Sequence, residues 1–170
     1  MNTSPSPYSE HCIEVTDGLF VMPQPSAADL NQLAHQGIRT VVNLRHTEEN
    51  AKPLSIESEG DLVKRLGMDY VHLPVSMKTA TAQLATAFET LLAAAREDGP
   101  VVIHCKLGQR ASAMVLIAAA RHLGWNAPQA LSQADRLGLG DITTVPSLNT
   151  YVHTCLGGKC KGTEGETDSR

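Results

Sequence analysis

The sequence reads as an α/β protein with a central, mostly parallel sheet flanked by helices. Three observations carry that reading. Short apolar, β-branched runs alternate along the chain with longer stretches of helical periodicity. Residues 40–44 and 101–104 are apolar on both faces, as strands covered from either side must be. Glycine or proline marks nearly every change of pattern.

Taken in order, residues 1–12 are rich in Ser and Pro and read as a flexible lead. Residues 19–22 form a short strand ended by Pro23 and Pro25. Ser26 is a natural N-cap for a helix with Leu30, Leu33 and Ala34 on one face, and Gly37 stops it. A buried strand follows at residues 40–44, then a charged loop, residues 45–55, broken by Pro53. Residues 55–66 read as a helix closed by Gly67, and residues 70–75 as the next strand. Leu84, Phe88, Leu91, Leu92 and Ala95 fall on one helical face before Asp98, Gly99 and Pro100 end it. After the strand at 101–104, residues 111–122 are helical in composition and stop at Gly124. Asn126 caps a further helix through Leu137, and Pro146 opens a last one with Leu148, Tyr151, Val152 and Cys155 along one side. Residues 13–156 make one domain without internal repeats, and the polar segment 157–170 reads as a disordered tail.

Composition narrows the function. The chain has 170 residues, 42% of them hydrophobic, 19% charged and only 4% aromatic, which suits a folded domain packed with small aliphatics. Fourteen Lys and Arg against eighteen Asp and Glu leave a net charge of −4 and no clustered basic face, so nucleic acid is not an expected partner. The longest strongly apolar run, residues 111–120, is too short to span a bilayer, and no membrane partner is expected. The first residues lack the charged start and apolar stretch of a secretory signal, so the expected location is cytoplasmic. In that reducing setting the four cysteines are read through their reactivity.

One of them, Cys105, stands at the end of a buried strand, before a glycine-containing loop and the start of a helix. A helix N-terminus offers free backbone N–H groups and partial positive charge, which favour an anion and lower a thiol pKa. Gly108 lets the loop curl so that the N–H groups of Lys106, Leu107, Gly108, Gln109 and Arg110 form a cradle. Arg110 adds a planar fork for two oxygens of a phosphate-like group, and Lys106 adds charge at the rim. Ser112 is placed to donate a hydrogen bond to the sulfur, and His104 to tune it through positioning and hydrogen bonding. A buried structural cysteine is the plain alternative, but it leaves the Gly, Arg and Ser that follow unexplained.

The segment HCKLGQRAS resembles the signature of the cysteine-dependent protein tyrosine and dual-specificity phosphatases: His-Cys, five residues, Arg, then Ser or Thr. Upstream, MPQPSAADLNQLAHQGIRTVVNLRHTEE and LGMDYVHLPV resemble small bacterial phosphatase-like domains, above all that of beta-lactamase-hydrolase-like proteins. The likeness covers residues 15–139. It implies a dual-specificity-phosphatase-like fold and a phosphocysteine intermediate. It also implies a phosphorylated protein or small molecule as substrate, with neither metal nor other cofactor.

Two departures leave alternatives open. Arg110 lies five residues after Cys105 where the signature has six, so either the loop is shorter or Ala111 takes the arginine slot. The spacing Cys-x-x-Gly-x-Arg is also that of rhodanese-type sulfurtransferases, which form a persulfide. Residues 76–81, where such phosphatases carry their acid, hold no carboxylate; Glu48, Glu49 and Asp141 are the substitutes to test. Arg45 is expected either to bind a second anionic group or to pair with Glu48 or Glu49. A zinc site of His153, Cys155 and Cys160 is disfavoured, because three irregularly spaced ligands do not close a structural site. A phosphate-binding module without turnover is the third class.

Overall fold

The computed structural model describes residues 11–139 and 141–157. Nearly all of the lead expected at 1–12 and the tail expected at 157–170 lies outside these residues, as does Cys160.

Five strands build one sheet: β1 (Ile13–Thr16), β2 (Leu19–Met22), β3 (Thr40–Asn43), β4 (Asp69–His72) and β5 (Val101–His104). Their order is β1-β2-β5-β3-β4, and only β1 runs antiparallel, paired with β2. The mostly parallel sheet expected from the sequence is therefore present. β1 is an addition, a four-residue edge strand whose alternation Ile-Glu-Val-Thr is too brief to separate from the lead. β4 is shorter than expected, although the Leu73 and Val75 N–H groups still donate to Asn43 and Leu44 carbonyls past its end.

Alternation along the strands divides the core in two. Leu19, Val21, Val42, Val101 and Ile103 face one side, against α3 (Ala82–Glu97), α4 (Gln109–Leu123), α5 (Ala127–Arg136), α6 (Asp141–Thr144) and α7 (Pro146–Leu156). Phe20, Met22, Val41 and Val102 face the other, against α1 (Ala27–His35) and α2 (Ile56–Arg65). Ser26, Ser55 and Asn126 cap α1, α2 and α5 as their positions require, each accepting a backbone N–H three residues on. α4 begins two residues earlier than the composition suggests, so Gln109 and Arg110 lie in its first turn. The short α6 had no periodic signal to announce it. Among the described residues no helix is long and apolar enough to cross a membrane.

The four parallel strands end in register: Met22, His104, Asn43 and His72 lie side by side in one row. Only a few backbone bonds continue beyond that row, and this is where open α/β sheets bind ligands. Cys105 is the first residue past it on β5.

Candidate active site

Cys105 is 1% exposed and joins the core on the α4 side of the sheet. The next turn of chain is seated on neighbouring strand ends. The Leu44 N–H donates to the His104 carbonyl (2.8 Å) and the Gln24 N–H to the Lys106 carbonyl (3.2 Å). Gly108 has φ +86°, a left-handed turn that calls for glycine, although a Cβ there would meet the Pro23 nitrogen only at an ordinary contact distance of 3.4 Å. Among the described residues, no protein acceptor takes the backbone N–H groups from Lys106 to Ala111. The first amide that is bonded, Ser112 N–H, donates to the Gly108 carbonyl at 2.9 Å. Six successive free donors at the head of a 15-residue helix make a place of strong positive polarisation.

Arg110 turns inward, its side chain 17% exposed. Nη1 and Nη2 donate to the two carboxylate oxygens of Glu49 at 2.6 and 2.8 Å, and Nη1 also donates to the Val75 carbonyl at 2.9 Å. Burial pushes the guanidinium pKa down, but Glu49 and then the neighbouring Cys105 outweigh it and leave it above the usual value. Ala111 is fully buried in the core. The shorter loop, with Arg110 in the arginine position, is thus the arrangement this chain adopts.

The other sequence candidates distribute unevenly. Leu107 is 67% exposed at the loop's outer edge. Lys106 Nζ reaches the Lys52 carbonyl at 3.4 Å, and Gln109 Nε2 donates to Asp141 at 3.2 Å. The Ser112 side chain makes no hydrogen bond to Cys105 among the described residues; it lines a hollow of about 680 Å³ on the far flank of the loop. Asp141 borders that same hollow, away from the guanidinium. A cleft of about 830 Å³ opens over Arg110, walled by His46, Glu48, Glu49, Ser76, Met77 and Lys78.

Of the three carboxylates offered as acids, Glu49 comes nearest to the site, yet it is committed elsewhere. Burial raises its pKa, but hydrogen bonds from Arg110 and the His46 N–H, with the charges of Arg110 and Arg45, hold it below the usual carboxylate range. Arg45 takes neither role expected of it. It is fully buried, and its guanidinium donates to the Asn50 and Leu54 carbonyls, tying down the loop that carries Glu49. The other two described cysteines are kept as thiols: burial, with help from Glu14 and Asp29, pushes Cys12 up to about 12, and burial also raises Cys155. His153 and Cys155 lie on α7, and no group of three or more His, Cys, Asp or Glu among the described residues is arranged to hold a metal.

A group absent from the sequence reading lies behind His104. Its Nε2 meets Glu59 Oε1 at 2.6 Å with both side chains fully buried, and Asn43 Nδ2 donates to the same oxygen at 3.1 Å. The signal was present in α2, where Glu59 shares a helical face with Val63 and Leu66.

Residues 12–122 match the family model of the beta-lactamase hydrolase-like protein, phosphatase-like domain. The chain belongs to this family. The beta-lactamase hydrolase-like protein of Agrobacterium fabrum is 32% identical over 105 residues, 62% of this chain and 24% of that protein. Its counterpart from Xylella fastidiosa strain Temecula1 is 28% identical over 99 residues, 58% of this chain and 22% of that one. The match thus spans about a quarter of these relatives' lengths. Among solved structures, P. aeruginosa TpbA, crystallised with phosphotyrosine, superposes with a TM-score of 0.69 at 20% identity, covering 89% of this chain and 86% of its own. Tk-PTP in its active form gives 0.69 at 18% identity, with 88% and 98% covered. The phosphatase-like domain therefore has the protein-tyrosine-phosphatase-like fold expected of it, and the family resemblance of its sequence is borne out.

Proposed function

We propose that this phosphatase-like domain hydrolyses phosphate monoesters, of a protein or a small molecule, with Cys105 as nucleophile. The observation that supports the reading is the run of six backbone N–H groups without a protein acceptor directly after Cys105, with the Arg110 guanidinium interacting with the same cysteine. The Cys105 thiolate attacks phosphorus and displaces the alcohol or phenol oxygen. The amides from Lys106 to Arg110 and the guanidinium stabilise the charge that builds on the equatorial oxygens. Water then cleaves the S–P bond, releasing phosphate and regenerating the thiolate. Glu49, held ionised, is a poor proton donor to the leaving oxygen, and residues 76–81 supply no carboxylic acid. General acid catalysis is worth about 10²–10⁴-fold, so activated aryl phosphates are the favoured substrates. The test is turnover of a generic aryl phosphate by the parent, Cys105→Ser and Arg110→Ala. Activity lost in both variants supports the assignment, and equal activity in all three overturns it.

The missing proton donor favours a second reading, sulfur transfer. Cys105 would take the outer sulfur of thiosulfate, releasing sulfite, and pass it from the persulfide to a thiol or cyanide. No oxygen leaving group has to be protonated. Mass spectrometry after thiosulfate exposure separates the two: a stable gain of one sulfur on Cys105 supports transfer.

A further inference from the structure

Five parts of the chain meet in a polar knot on the α1/α2 side of the sheet, behind Cys105. Asn43 Oδ1 accepts the Arg45 N–H at 2.8 Å, which turns the Asn43 amide NH₂ toward Glu59 Oε1 and the Tyr70 hydroxyl (2.9 Å). Tyr70 in turn donates to the Ile56 carbonyl at 3.1 Å. Glu59 Oε1 thus faces two partners, while Oε2 is buried without a hydrogen bond among the described residues. The shortest contact of the Glu59 carboxylate is with the His104 ring, with Asn43 and the nearby Tyr70 hydroxyl as its other polar neighbours. A buried carboxylate of this kind is costly, and apolar residues of equal volume usually serve stability as well or better. Packing alone does not account for it.

The two nitrogens of His104 both meet acceptors. Nε2 faces the Glu59 carboxylate at 2.6 Å, and Nδ1 faces the Cys105 carbonyl at 3.3 Å. Such a setting accommodates a proton on each nitrogen. The resulting imidazolium would place positive charge on the residue next to Cys105 and hold that residue's carbonyl. The other ionisable groups around the knot are Tyr70 and His72 from β4, the latter with its ring on the Arg45 carbonyl at 2.8 Å, Arg45 beyond β3, and Cys105 with Arg110 on the opposite side. None of these offers His104 a second carboxylate, so Glu59 alone compensates the ring's charge.

We infer that Glu59 is a positioning residue for the nucleophile, acting through His104 to keep the Cys105 sulfur ionised and its carbonyl fixed. The inference rests on the reading of Cys105 as nucleophile. Its test uses the full chain and the rate of Cys105 alkylation by iodoacetamide against pH, with the modified residue located by mass spectrometry. Glu59→Gln, which keeps the shape and an acceptor oxygen, should move the midpoint up by about one pH unit, a roughly tenfold loss of rate on the acid side. His104→Gln should do the same, and the double variant should add little to either. A midpoint unmoved in a folded Glu59→Gln protein overturns the inference, since a merely structural carboxylate would leave it in place. Should that variant fail to fold, nitrogen NMR of the parent decides: a His104 ring protonated on both nitrogens at neutral pH supports the role, and a singly protonated ring overturns it. A parent whose Cys105 ionises like free cysteine would instead defeat the nucleophile itself.

Discussion

Two ion pairs bracket Cys105 from opposite faces of the sheet, and water reaches only one of them. In front, Arg110 and Glu49 meet with side chains 17% and 23% exposed, at the floor of an open cleft. Behind, His104 and Glu59 are fully sealed. The front pair is partly solvated at the cleft, where, on the proposed function, an incoming anion would compete with the carboxylate for Arg110. The rear pair has no competitor and acts as a fixed part of the scaffold. On the proposed function, a nucleophile that is modified and released at each turnover has a use for both kinds of neighbour.

Breaking the rear pair should have the greatest effect. Glu59→Leu or His104→Leu leaves one buried partner alone, and denaturant unfolding should show a loss of about 3–5 kcal/mol. The double Leu variant should be clearly more stable than either single; equal losses would mean the two residues are not coupled. In front, Arg110→Ala should lower the kcat for an aryl phosphate by about 10²–10³-fold with little change in unfolding, the reverse of the rear pair's signature. Gly108→Ala tests the frame shared by both faces. Its φ of +86° predicts about 1–2 kcal/mol of destabilisation, with weaker vanadate binding as the loop shifts.

The smallest effect belongs to Glu49→Gln, worth about 1 kcal/mol or less because the pair is partly solvated. Its pH dependence is the sharper measurement. The folded pKa of Glu49 lies below the ordinary 4.5, so the pair contributes fully above that pH and fades as pH falls through the depressed value. The stability difference between parent and Glu49→Gln should accordingly shrink below pH 4.5 and be flat above it.

Much of this was legible before any coordinates. The caps Ser26 and Asn126 and the apolar periods are local signals, and the strand-loop-helix around Cys105 is a contiguous one. What escaped are long-range partners. Glu59 stands in a helix rich in charge, with Glu57, Asp61, Lys64 and Arg65 around it, and only its alignment with Val63 and Leu66 marks it as inward-facing. Arg45 reads from the sequence as an anion-binding or ion-pairing side chain because the carbonyls that use it, at Asn50 and Leu54, belong to a loop without a pattern of its own. Chemistry carried by one stretch of chain can be read in advance; chemistry assembled across 45 residues, as between Glu59 and His104, waits for the fold.

One further detail ties the rear pair to a hydrogen atom. Gly60, next to Glu59, lies so near the Tyr70 ring that a methyl in its place would sit 2.8 Å from the ring carbons. The helix rests on the aromatic plane like a lid on a gasket, and the thickness of that joint sets how far the carboxylate extends. Relatives could be sorted on this ground. In those with a bulkier residue at the position of Gly60, either the helix or the Tyr70 ring must shift, and the reach of the neighbouring carboxylate toward the histidine shifts with it.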